Sequence, residues 1–345
     1  MRRRTLLSAA LLITPMTAAF GQASVQPAQD SARARLQPIL DQAEALTPLE
    51  TVIIAQHGSI IAERGYRGRS TEAATNIKSA SKSVMSALVG IAMERGVLQG
   101  PDQPIGDLLK QDLPPDPDPR LLRITVGHLL SMQAGLERTS GANYGRWVAS
   151  RNWVRSVLAQ PFVDEPGGRM LYSTGSTHLL SAVLTRASNR STLALARDWL
   201  GTVPGFAIED WERDPQGIYL GGNQMAMSPR SLLAFGELYR NAGRTPDGRQ
   251  VVPQHWIALS WEPRTESRFT GDAYGYGWFL RQSGGHEVKY AWGYGGQMLY
   301  IVPSLGLTVV MTSDDRQPSG RTGYRDELHD LLAAIIAAVS HPAAD

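Results

Sequence analysis

Ser79-Ala80-Ser81-Lys82 sets a hydroxyl and an amine three residues apart at the head of an apolar stretch. Positions three apart share a helix face, so the Lys82 amine is placed to reach the Ser79 hydroxyl. A serine hydroxyl becomes a nucleophile once its proton is taken, and a lysine whose charge is disfavoured by burial takes it near neutral pH. Lys82 is one of four lysines in a chain with 30 arginines, and its neighbours Val84, Met85, Leu88, Val89, Ile91 and Ala92 make the helix apolar almost all round. An ammonium is costly in such a place. The alternative is a lysine that snorkels to the surface beside a serine that only caps the helix. A second stretch, Pro166-Gly167-Gly168-Arg169-Met170-Leu171-Tyr172-Ser173-Thr174-Gly175, carries Tyr172 out of a Gly/Pro turn toward a new helix. A third, Trp292-Gly293-Tyr294-Gly295-Gly296-Gln297, is a strand opened by glycines, where a ligand can lie against backbone N–H groups.

Other chemistries lack their residues. The chain has no cysteine, which removes thiol nucleophiles, disulfides, iron–sulfur clusters and thiolate zinc sites. There is no Gly-x-Ser-x-Gly elbow. The seven histidines, at 57, 128, 178, 255, 286, 329 and 341, show no His-Glu-x-x-His or His-x-His spacing. The glycines of 293–296 are not a dinucleotide fingerprint following a first strand. Neither a metal nor an organic cofactor is expected. With 34 Lys+Arg against 32 Asp+Glu, the formal charge of +2 excludes a strongly basic nucleic-acid binder. A hydrophobic fraction of 42% over 345 residues is that of a globular chain with ample core.

The elements that must position these groups read as follows. Arg2, Arg3 and Arg4 precede an apolar run from Leu6 to Ala19, shorter than a bilayer span. This predicts an export signal at 1–23, with cleavage after Ala23 by the general or the twin-arginine route. The protein would then be periplasmic or secreted, with no stable membrane anchor. Residues 24–35 are expected to be a loose lead-in, and Leu36, Ile39, Leu40, Ala43 and Leu46 repeat at helical spacing from Ala34. Thr51 to Gln56 and Ile60 to Tyr66 predict a hairpin about His57-Gly58-Ser59. A helix is expected from Ser79 to Arg95, mainly helical segments with proline-rich breaks from about 100 to 244, and strands at 276–281, 289–294, 298–302 and 307–312. A last helix is expected from Arg325 to Val339. Strands at both ends flanking a helical middle predict an α+β fold: one antiparallel sheet built from about 34–100 and 245–345, flanked by helices, with an inserted helical part at about 100–244.

On these motifs the chain resembles the serine β-lactamase and penicillin-binding-protein superfamily, in the class C-like branch with β-lactamase-fold esterases, D-alanyl carboxypeptidases and 6-aminohexanoate-dimer hydrolases. The likeness extends over nearly all of 24–345, through Asn76 to Gly96, Ile124 to Met132, Gly221-Gly222-Asn223 and Met227-Ser228-Pro229. It implies Ser79 as nucleophile, Lys82 as its partner and Tyr172 as proton shuttle, with the base either Lys82 or Tyr172. It implies an oxyanion hole from the backbone N–H groups of Ser79 and Gln297, and substrate contacts from Thr174, Trp292, Tyr294, Gly295 and Gly296. Two departures bear on substrate. Thr174 stands where asparagine usually holds the substrate amide, and Tyr294 where a lysine or histidine helps engage a carboxylate. The expected partner is a small-molecule ester or amide, such as a short-chain ester or an aminohexanoate dimer, ahead of a β-lactam or a D-Ala-D-Ala peptide. A catalytically silent binding or sensor protein is the reading from another class. Among Tyr274, Tyr276, Trp278, Tyr290, Trp292 and Tyr294, about half are expected in sheet packing and the rest along an apolar cleft.

Overall fold

The computed structural model describes residues 25–340, so the expected export signal lies outside the described residues. The strands are β1 (Leu49–Gln56), β2 (Ser59–Gly65), β3 (Thr75–Asn76), β4 (Asp210–Trp211), β5 (Met225–Met227), β6 (Thr265–Glu266), β7 (Ala273–Tyr274), β8 (Phe279–Ser283), β9 (His286–Gly293), β10 (Gln297–Val302) and β11 (Leu307–Ser313). The helices are α1 (Val25–Ala43), α2 (Ser81–Glu94), α3 (Val126–Leu130), α4 (Tyr144–Val148), α5 (Trp153–Leu158), α6 (Thr174–Ser188), α7 (Thr192–Trp199), α8 (Pro229–Arg240), α9 (Gln254–Ser260), α10 (Ser319–Thr322) and α11 (Tyr324–Ser340).

One antiparallel sheet runs in the order β2-β1-β11-β10-β9-β8-β7-β6, so the first hairpin closes onto the last strand of the chain. That hairpin turns through two residues in the left-handed region, His57 at φ 50° and Gly58 at φ 86°, which matches the twist of its strands. β1 explains why no apolar–polar alternation is visible in its sequence. Val52 and Ile54 face the layer formed by α1 and α11, with Leu36, Leu40, Leu328 and Leu332. Ile53 and Ala55 face the opposite layer, with α2 and α8. A strand buried on both faces reads as a continuous apolar run.

The expected α+β architecture holds: the sheet comes from both ends of the chain, helices cover its faces, and α3 to α8 lie between. Some details differ from expectation. The lead-in is helical from Val25 onward, since α1 begins there. The middle contains a small sheet, β3-β5-β4, which short two- and three-residue strands conceal from periodicity. Tyr276 is not in β8; Gly277, at φ 80°, interrupts the run where its backbone meets α2, and its carbonyl accepts a 2.6 Å bond from Ser83 Oγ.

Candidate active site

The nucleophile candidate is set by the small sheet rather than by a simple helix start. β3 ends at Asn76, Ile77 N–H donates to the Met225 carbonyl at 2.9 Å, and the chain then turns through Lys78 at φ 50°. A non-glycine residue in that region is strained by about 1–3 kcal/mol and needs its surroundings to hold it. Lys78 N–H donates to Asn76 Oδ1 at 3.0 Å, and Lys78 Nζ reaches Asp315 at 2.7 Å and Gln224 Oε1 at 3.2 Å. Asn76 Nδ2 donates to the same Gln224 oxygen at 2.7 Å. Ser79 therefore sits in a 3-10 turn, Lys78–Ala80, ahead of α2.

One turn later Lys82 is enclosed, at 2% exposure. Its Nζ lies 3.0 Å from Ser79 Oγ, 3.3 Å from Thr174 Oγ1 and 2.6 Å from the Gly222 carbonyl. None of these partners is an acid. Burial alone lowers the Lys82 amine to about 7 from its ordinary 10.5, because desolvation penalises the charged form. Gly222, at φ 76°, makes room for this: a Cβ there would lie 2.6 Å from Lys82 Cγ and 2.5 Å from Thr177 Oγ1.

Tyr172 approaches from the loop before α6. On either side of it, Leu171 N–H donates to the Met132 carbonyl at 2.7 Å and Thr174 N–H to Ser140 Oγ at 2.8 Å. Its ring stacks on Phe279 and meets Tyr274 edge-on, with centroids 6.1 and 6.3 Å away. Lys82 Nζ is 5.1 Å from the ring centroid. Burial pushes the Tyr172 phenol up to about 12, against the pull of its hydrogen bond with Ser79. Near neutral pH the amine is thus able to lose its charge and the phenol keeps its proton.

The β9–β10 turn closes the third side. Gly293 pairs with Gln297, and a Cβ on Gly293 would fall 2.3 Å from the Ile77 carbonyl oxygen and 3.1 Å from Lys78 Cβ. Only glycine lets this strand end lie against the segment leading into Ser79. Gln297 is buried, its side chain holding Ser313 through Nε2 to the carbonyl at 2.5 Å and Oε1 from the N–H at 3.3 Å. Gly295 and Gly296 turn through φ 85° and 106°.

Of the residues singled out in the sequence, Ser79, Lys82, Tyr172 and Thr174 converge on one point. Thr174 is buried and turned toward Lys82 and Ser140. Tyr294 stands outward at 49% exposure. Trp292 donates from Nε1 to Ser319 Oγ at 3.1 Å beneath the Arg325 guanidinium. Tyr274, Tyr276, Trp278 and Tyr290 are all core residues, more than the half expected. The Gly222 carbonyl and the Asn76–Lys78–Gln224–Asp315 group were not foreseen; Gly222, Asn76 and Lys78 lay in segments marked only by family likeness, and Gln224 and Asp315 come from separate loops.

An antiparallel sheet with a Ser-x-x-Lys turn packed against its inner strands β9 and β10, faced by a tyrosine from a helical insert, is the arrangement of a β-lactamase-fold hydrolase. The Beta-lactamase family model matches residues 47–334, and the chain belongs to that family. No curated protein matches the sequence. Among solved structures, the chain is similar to EstCE1, a hydrolase with promiscuous acyltransferase activity, at 20% identity and TM-score 0.72, covering 91% of this chain and 100% of that one. It is similar to a candidate 6-aminohexanoate-dimer hydrolase from Bacillus anthracis at 18% identity and TM-score 0.69, covering 89% and 81%. A class C beta lactamase from Rhodobacter sphaeroides aligns at 15% identity and TM-score 0.67, covering 90% and 100%.

Proposed function

We propose that the protein is a serine hydrolase that cleaves an ester or a small amide through an acyl-enzyme. The observation that carries this reading is a buried amine with no acid among its partners, 3.0 Å from Ser79 Oγ and lowered by burial to about 7, so that it can shed its proton near neutrality. Lys82 takes the Ser79 proton as Oγ attacks the carbonyl carbon. The backbone N–H groups of Ser79 and Gln297 receive the charge that builds on the carbonyl oxygen. Tyr172, protonated at rest, gives its proton to the departing alkoxide or amine and regains one from Lys82. Water then attacks the acyl-enzyme, Lys82 takes its proton, and Ser79 Oγ leaves with that proton restored. The aliphatic stretch ahead of Ala23 supports export to the periplasm or the medium.

A panel of a nitrophenyl ester, an aminohexanoate dimer and a chromogenic cephalosporin tests the substrate order. The ester or the dimer is expected to turn over with a product burst equal to the enzyme concentration; cephalosporin turnover exceeding both reverses the order. Tyr172→Phe is expected to lower kcat by about 10²–10⁴-fold, and unchanged turnover would remove Tyr172 from the reaction. The pH profile follows from the two groups. Since Lys82 acts deprotonated and titrates at about 7, kcat/KM is expected to rise through that pH. Since Tyr172 acts protonated and titrates at about 12, no fall is expected below pH 10. A bell-shaped profile with a descending limb near pH 8 would contradict this division of roles.

A further inference from the structure

Beside Tyr172 opens a cleft of about 190 Å³ whose wall holds three arginines, Arg138, Arg169 and Arg268, from three separate loops. Met170, Leu171 and Phe269 supply the apolar part of the lining, and no lining residue is acidic. Arg169 is partly neutralised by Asp164, at 3.3 Å. Among the described residues neither Arg138 nor Arg268 forms an ion pair within 4.0 Å, though Arg268 is near enough to Asp164 to help lower its carboxyl. The Arg138 guanidinium is held 5.1 Å over the ring of Phe269, which itself is 61% exposed. An arginine held against an aromatic face with no carboxylate at ion-pair distance, as Arg138 is, is suited to bind a carboxylate.

Position gives the cleft its role. Tyr172 forms part of its wall, and on the reading above Tyr172 is the group that protonates the departing fragment. We infer that the cleft receives the leaving group of the substrate, and that this fragment carries a carboxylate on a short apolar stem, bound by Arg138 and Arg268. The inference rests on the proposed acyl-enzyme reaction for its direction, but the anion site itself does not require turnover.

Two arms test it. The first compares 4-acetoxybenzoate with its neutral methyl ester, which share the acetyl group and differ in the charge of the leaving phenol. In the wild type the carboxylated ester is expected to have the higher kcat/KM by about tenfold to a hundredfold. In R138Q/R268Q the ratio is expected to fall to near one, and in R138K/R268K to recover in part. Because the readout is a ratio within one preparation, partial unfolding of a variant cancels. The second arm measures 4-hydroxybenzoate binding by calorimetry, expected to be at least about tenfold weaker in R138Q/R268Q. A wild-type ratio near one, or equal binding by wild type and variant, overturns the carboxylate site. Hydrolysis of neither ester, with the binding difference present, removes the acyl-enzyme reading and leaves the carboxylate site standing.

Discussion

Ser79→Ala is expected to abolish covalent labelling by a fluorophosphonate, read as added mass on the intact protein, and to lower kcat by about 10⁴–10⁶-fold. The size of the effect follows from what remains. Without Oγ there is no acyl-enzyme, and Lys82 and Tyr172 have no nucleophile to serve. Ser79 is partly exposed and lies in a short turn held by Lys78 and Ala80, so the substitution leaves the fold in place and the melting temperature should change little. Labelling of Ser79→Ala equal to wild type would end the proposed reaction.

Lys82→Met is expected to cost about 10²–10⁴-fold in kcat/KM while making the protein more stable at neutral pH. The fall of the amine from its ordinary 10.5 to about 7 corresponds to roughly 5 kcal/mol of disfavoured charge. Methionine removes that cost with a side chain of similar length. Against it, the Gly222 carbonyl loses its 2.6 Å donor, worth about 1–3 kcal/mol when a buried acceptor is left unmade. The balance favours the variant by a few kcal/mol. The sign with pH follows from linkage: between about 7 and 10.5 the unfolded wild type binds a proton that the folded one does not, so wild-type stability rises with pH over that window. The advantage of Lys82→Met is therefore largest at pH 7 and below and narrows toward pH 10. Melting curves at pH 6, 7, 8 and 9.5 check it; a destabilised variant at pH 6 would mean that Lys82 is held charged.

Local sequence was enough to locate the central turn of this site but not its walls. Ser79 and Lys82 are one helical turn apart, and burial of the lysine could be read from the apolar residues around it. Tyr172 was visible because a Gly/Pro turn preceded it. By contrast, Lys78 takes its left-handed backbone from contacts with Gln224 and Asp315, which are distant in the chain. No spacing rule connects such residues. The same holds for Arg138, Arg169 and Arg268, three among 30 arginines. For the fold, the long strands and helices announced themselves through composition, whereas β3, β4 and β5 are too short to show a period. The aromatic residues misled in the other direction: alternation in Tyr274 to Tyr294 suggested that about half would line a cleft, but four of the six are buried in packed layers.

The placement of β1 between β2 and β11 also governs when the molecule can be finished. The Thr51 hydroxyl meets that of Thr312, 261 positions away, and Arg35 Nε on α1 donates to the Ala338 carbonyl on α11 at 2.7 Å. A nascent chain emerging amino end first holds β1 with one flank unpaired until the last strand has been synthesised. Such remote pairing slows folding and prolongs the aggregation-prone interval. The same adjacency bears on circular permutation: a peptide joining the start of α1 at Val25 to the end of α11 at Ser340 would let new ends be opened in a surface loop while every strand keeps its neighbours.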